Sequence, residues 1–393
     1  MTAPPSPASP WEWTETCPPP CEAGGLLTID LAALAANWRL LRDRVSPAEC
    51  AAVVKADAYG IGIEPAVRAL AAAGCRTFFV AQLSEGARVR AVCPQAVIYV
   101  LNSFPPGTGD TYVRHGLRPA LGSREDIEEW AAVSRAVGRR LPAMLHVDTG
   151  MNRLGLPPAE AAALAGDALV QDVEFALVAS HFVSSEEPEN PINARQVAAF
   201  EAVRAVFPGI PASLANSSGI FLPQRPHYQL VRPGYALYGG NPTPGRPNPM
   251  SPVVRLEGRV LQIRTVREGE TVGYNAQWTA PGERRLATIS VGYADGYPRA
   301  ASATDAKRAG GAAFGEAIVA GRRCPFAGRV SMDLIVLDVS QVPAADVCRG
   351  DLVTLIGGDL DLDEVGRRAG TIGYEILTSL GRRYRRTYVG GSL

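Results

Sequence analysis

Between residues 51 and 232, eight short apolar runs alternate with helical patterns, and this alternation limits the fold more than any other feature. The apolar runs are 51–55, 75–81, 96–101, 118–121, 143–148, 174–180, 212–216 and 228–232, of a length suited to buried strands. Helical patterns fill the gaps at 64–73, 84–92, 111–117, 125–138, 158–166, 192–207 and 218–222. Strands that alternate with helices make a parallel sheet. Eight such units in this length favour closure into a (β/α)8 TIM-type barrel over a doubly wound open sheet. Ahead of them, Leu31–Val45 carries Leu31, Leu34, Trp38 and Leu41 at helical spacing.

The alternation stops at the Pro/Asn/Gly-rich stretch 241–252, NPTPGRPNPMSP, which reads as a linker. Beyond it the strand-like runs VVRLEGRVLQIRTV, RRLATISVGYA, EAIVAGR, MDLIVLDVS and DLVTLIGG dominate, and only 361–370 and 374–380 look helical. The expected organisation is therefore α/β: a barrel over 26–250, then a mainly β domain over 251–393, with 301–313 an exposed loop. A length of 393 residues exceeds what a single core accommodates. Residues 1–25 are rich in proline and poor in aliphatics, which predicts a disordered tail. They have neither a basic n-region nor an apolar h-region, so a cytoplasmic protein is expected. Basic and acidic residues balance at 39 each, which argues against nucleic acid or membrane as a partner. Seven scattered cysteines, with only Cys17 and Cys21 at CxxxC spacing, read as free thiols rather than a metal site.

Barrel enzymes carry their chemistry at the C-terminal ends of the strands, and polar residues collect there. Lys55 ends the first strand, in AAVVKADAYGIG, with Tyr59 four residues on. His146 and Asp148 end the fifth, followed by Arg153; His181 ends the sixth, Asn216 and Ser217 the seventh, Arg232 and Gly234 the eighth. Singly, each has a bland account: a strand-terminal lysine paired with a carboxylate, a hydrogen-bonded core histidine, an Asn-Ser helix cap, an arginine in a turn. Five strand ends loading polar groups onto one face are harder to explain that way. A desolvated lysine loses proton affinity and can attack a carbonyl to form a Schiff base. Ser217 and the amides of Gly234 and Tyr235 lie where this fold commonly binds phosphate. A Schiff-base lysine beside a phosphate site suggests pyridoxal phosphate (PLP).

The segments AVVKADAYGIG, HVDTGMNRLG, ASHF, ANSSG, VRPGYALYG, VGYNAQW, SVGYADGYPR, GRVSMD and IGYE, in this order from about Leu26 onward, resemble those of the alanine racemases. The resemblance implies a PLP-dependent racemase acting on alanine, supplying D-alanine for peptidoglycan, and working as a homodimer with shared active sites. It implies that Lys55 holds PLP and is one base, and that Tyr274 of the partner subunit is the other. Tyr59, Ser217, Gly234, Tyr235 and Tyr374 would hold the phosphate, with Asn216 beside them. Arg232 would face the pyridine nitrogen and His181 would bridge Arg232 to Tyr274. Arg153 and the partner's Met332 would meet the substrate carboxylate, and Tyr293 and Arg299 would line the access corridor.

Two bases on opposite faces of Cα racemise without turning the intermediate over. A tyrosine base must hold its proton less tightly than usual, and the cationic neighbourhood of His181 and Arg232 is expected to bring that about. His146 departs from the family, many members of which have a lysine there, carbamylated in some, that braces the arginine equivalent to Arg153. A neutral His146 accepting a hydrogen bond is expected instead, or an anion between it and Arg153; Asp148 or water is the other brace. Ser331 replaces a cysteine found in some relatives. A racemase of another small amino acid such as serine, a PLP decarboxylase and a non-catalytic PLP-binding barrel are the competing readings.

Overall fold

The computed structural model describes residues 19–391. Residues 1–18, with most of the expected tail and Cys17, lie outside the described residues. Residues 19–25 are not a loose tail: Ala23 is buried, and Arg259 donates from Nε to Ala23 O (3.1 Å) and from Nη2 to Pro20 O (2.5 Å).

Seven parallel strands form a sheet in chain order: Ala52–Val53, Thr77–Val80, Val97–Val100, Arg118–Leu121, Leu141–His146, Val173–Ala179 and Ala212–Ser213. The eighth, Leu230–Val231, pairs in parallel with Glu49–Cys50, the first half of the interrupted first strand. Two backbone hydrogen bonds tie it to the seventh strand's segment, Gln229 N donating to Ala212 O (3.2 Å) and Arg232 N to Ala215 O (2.9 Å). Backbone bonding thus runs around all eight strands, as the alternation in the sequence requires. Thr77–Val80 is buried at every position, which is what a strand covered on both faces needs. The crossovers include Ile63–Ala73, Leu83–Val92, Gly109–His115, Arg124–Val137, Pro158–Leu164 and Pro191–Val206.

The mainly β domain orders its strands Arg322–Pro325, Glu316–Val319, Leu352–Ile356, Val254–Val266, Gly25–Asp30 and Arg385–Val389, with Arg284–Ile289 and Ile335–Asp338 branching from the long strand. The strand Gly25–Asp30, which straddles the expected tail and barrel domain, lies in the second domain's sheet, between Val254–Val266 and Arg385–Val389. From it the chain enters the helix Leu31–Val45, capped by Asp30, whose carboxylate accepts from Ala33 N at 2.9 Å. Buried Asn37 on that helix bonds Leu237 O, Ser251 O and Ser251 N, fixing the linker as it leaves the barrel. One apolar core runs through both domains. The expected loop 301–313 contains a helix, Asp305–Ala309, capped by Thr304, and Ala301 and Ala303 are buried.

Candidate active site

At the C-terminal mouth of the barrel lies a cavity of about 860 Å³. Lys55 does not end its strand as expected; the strand stops at Val53, and after Val54 the lysine opens a tight turn. Ala56, Asp57, Ala58 and Tyr59 have φ of 53°, 54°, 54° and 52°, a left-handed turn built from four residues with side chains. Such backbone costs about 1–2 kcal/mol per residue and persists only where neighbours impose it. Burial pushes the Lys55 ammonium below its usual pKa, Arg153 adds to this, and Glu85 opposes it. The amine is thereby better prepared to act as a nucleophile or base.

Arg232 is buried, and among the described residues no carboxylate pairs with it. Its guanidinium donates to Ser213 Oγ, to Ser180 O (2.5 Å) and weakly to Leu214 O (3.5 Å). Burial lowers its pKa to about 10, which still leaves it cationic at neutral pH. With Lys55 and Arg153 it sets three cations around a cavity in which Glu375 is the one carboxylate among the described lining residues. Such a site favours an anionic ligand.

His181 and His146 both line this cavity. Burial, with Arg232 next, lowers His181 to about 3 and His146 to about 4. Within the expected cationic His181–Arg232 neighbourhood, the charge rests on Arg232 and His181 is neutral. His146 is neutral as expected, but no hydrogen bond joins it to Arg153 among the described residues. Asp148 does not brace Arg153 either; its Oδ1 accepts from Gly150 N and Met151 N, both at 2.8 Å.

These histidines make stability depend on pH. Unfolded, each takes up a proton below about 6.5; folded, His146 resists to about 4 and His181 to about 3. The unfolded state binds more protons in that window, so stability falls as pH drops through it, by at most about 1.4 kcal/mol per pH unit per group. Urea unfolding of the apoprotein at fixed concentration should show a shallower loss between pH 6.5 and 4 for His146→Gln than for the parent. Equal slopes would contradict the burial argument.

Aromatic rings and small residues form the opposite wall. Tyr59 stacks on Tyr238 (centroids 4.5 Å apart) and Tyr235 on Tyr374 (3.9 Å). Burial raises the Tyr59 and Tyr374 phenols above their ordinary range, so both remain hydrogen-bond donors. Ser217 Oγ accepts from Gly234 N (3.0 Å) and Ala236 N (3.2 Å), fixing the short helix Tyr235–Tyr238 against the seventh strand's end. The Tyr235 amide, first in that helix, has no intrahelical acceptor. A Cβ on Gly234 would stand 2.3 Å from Tyr59 Oη, so only glycine lets that hydroxyl and backbone approach. Asn216 meets its bland account: its Oδ1 caps Gly219 N (2.9 Å) and accepts from Ser185 Oγ (2.8 Å). The set fits PLP, with donors for a phosphate, a lysine for its carbonyl and cations for its remaining charge.

Lys55, Tyr59, Arg153, His181, Asn216, Ser217, Arg232, Gly234, Tyr235 and Tyr374 are thus brought to one cavity. Tyr274, Met332, Tyr293 and Arg299 do not line it within the chain. Tyr274 is 69% exposed and Met332 54%. They belong to adjoining surface loops: Tyr293 N bonds Ser331 O (3.0 Å), Ala294 N bonds Met332 O (2.9 Å), and Arg329 Nε bonds Gln277 Oε1 (2.8 Å). The sequence reading missed Ser180 and Ser213, which hold Arg232, and Glu85, whose spacing from Gln82 is that of a capping box.

The model for the N-terminal domain of alanine racemase matches residues 29–242, and that for its C-terminal domain residues 253–388. An alanine racemase of Methylobacterium sp. (strain 4-46) is 62% identical over 366 residues, covering 93% of this chain and 98% of the relative. That of Methylobacterium nodulans is 62% identical over 369 residues, covering 94% and 97%. Among solved structures, the alanine racemase of Bartonella henselae with covalently bound pyridoxal phosphate superposes with a TM-score of 0.87 at 40% identity, covering 93% of this chain and all of that one.

Proposed function

The chain belongs to the alanine racemase family, and we propose that it interconverts L-alanine and D-alanine with Lys55 and Tyr274 as its two bases. Pyridoxal phosphate is its cofactor. The observation that carries the reading is Lys55, its ammonium weakened by burial, facing a cavity whose other cations are Arg232 and Arg153.

Bound there, PLP would draw electrons from the substrate Cα and weaken its C–H bond. Lys55 would attach to the cofactor and, when freed, take or return a proton on one face of Cα. Tyr374, Tyr59, the Ser217 segment and the Tyr235 amide would hold the phosphate. With a pKa of about 10, Arg232 keeps its proton at neutral pH, so a pyridine nitrogen beside it would stay unprotonated; a weaker electron sink limits side reactions such as transamination. Arg153 would receive the substrate carboxylate. Tyr274 of a second copy would serve the other face, and exposed Met332, Tyr293 and Arg299 would close the mouth in a homodimer.

Among the described residues no helix is long and apolar enough to cross a membrane; a cytoplasmic location accords with this. The test is a racemase assay on a panel of L-amino acids, in which alanine should be turned over with the highest kcat/KM. Serine equal to alanine would favour the alternative racemase, and no turnover the non-catalytic barrel.

A further inference from the structure

We propose that Glu85 is a positioning residue for Lys55: its carboxylate clamps the left-handed turn that carries the lysine. This rests on the reading of Lys55 as the residue that binds the cofactor. The two oxygens divide their work. Oε2 accepts from Ala81 N (2.8 Å) and Gln82 N (3.1 Å), completing the capping box of its own helix, Leu83–Val92. Oε1 reaches out of that helix to Ala56 N (2.6 Å) and Asp57 N (3.4 Å), the two residues after Lys55. A capping box needs only the bond from Gln82 N; the bonds to Ala56 N and Asp57 N join a different element.

The turn needs such a clamp because four consecutive residues with side chains have φ near +53°. The side chain of Asp57 gives it a second anchor. Arg88, on the same helix as Glu85, donates to Asp57 Oδ1 and to Glu64 Oε1, each at 2.6 Å, and Asp57 Oδ1 also accepts from Ile63 N (3.1 Å). Glu85 holds the near end, where a change in backbone direction would swing Lys55 away from the cavity.

The test begins with apoprotein. Hydrogen exchange read by mass spectrometry should show Glu85→Ala losing protection in peptides spanning 54–62 and 80–86. On adding PLP, covalent attachment, followed by absorbance and borohydride trapping, should slow by about tenfold or more, as expected for losing charged acceptors. Ala56→Gly in that background removes one left-handed penalty, so it should recover about fivefold of the rate without restoring protection at 80–86. A Glu85→Ala protein that attaches PLP at the parental rate would overturn the proposal. So would a slow variant that Ala56→Gly leaves slow, because Glu85 would then serve only its own helix. If Glu85→Ala does not fold, Glu85→Gln keeps one acceptor oxygen and is read in the same way. Trapping at another lysine would instead defeat the reading of Lys55, and the exchange result alone would then judge the clamp.

Discussion

Replacing Lys55 with alanine is expected to lower racemisation by about 10⁴-fold or more and to leave no cofactor fixed by borohydride in the peptide containing residue 55. Two losses combine. The variant lacks the amine that attaches to PLP, and it lacks a base on one face of Cα. Burial and Arg153 both weaken the Lys55 ammonium, and no other lysine lines the cavity among the described residues. Folding should survive, because the left-handed turn is held through backbone amides and Asp57 rather than through the lysine side chain. The measurement is kcat in both directions together with peptide mapping after reduction. Near-parental turnover, or a cofactor fixed to a different lysine, would remove Lys55 from the reaction.

Mixing two inactive proteins is expected to restore activity. Lys55→Ala and Tyr274→Phe chains, combined and allowed to exchange subunits, should reach about a quarter of the parental activity, since half of randomly paired dimers are mixed and each holds one intact site of two. The motive is geometric. Tyr274 is 69% exposed and no described residue of its own chain brings it to the cavity that holds Lys55. Alone, Tyr274→Phe should bind PLP and still exchange the Cα proton of one enantiomer, because Lys55 remains. No recovery after subunit exchange has been verified by mass would argue that both bases come from one chain.

The barrel was legible because parallel strands buried on both faces read as continuous apolar runs; Thr77–Val80 and Val97–Val100 fall inside their expected ranges. Leu31–Val45 matches its expected bounds because Asp30 caps it and its apolar stripe is regular. The strands Arg322–Pro325 and Arg385–Val389 were not legible: RRCP and RRTYV are arginine-rich edge strands with little buried surface, so neither period appears in them. The strand Gly25–Asp30 was not legible at all, because partners more than two hundred residues away leave no local trace. In the site, the residue types at the strand ends were visible, but the charge of His181 was not. Its neutrality follows from burial beside Arg232, and burial emerges only in the folded chain. The left-handed turn was hidden for a similar reason: ADAY contains no glycine, so its backbone is imposed by Glu85, 29 residues from Ala56.

The placement of Gly25–Asp30 sets an order of events during synthesis. That strand pairs antiparallel with Val254–Val266 and in parallel with Arg385–Val389. A growing chain can complete the barrel ring once Leu230–Val231 has emerged, while its own leading strand still has no neighbour. At ordinary elongation rates about 7–30 s separate the barrel's last strand from the chain's last strand. Arg386 and Tyr388 of that late strand donate to Gly60 O (2.6 Å) and Ile61 O (2.7 Å), at the exit of the lysine turn. The backbone after Lys55 is therefore locked only once that late strand has emerged, and a ribosome-bound barrel would present its cofactor site before that lock is in place.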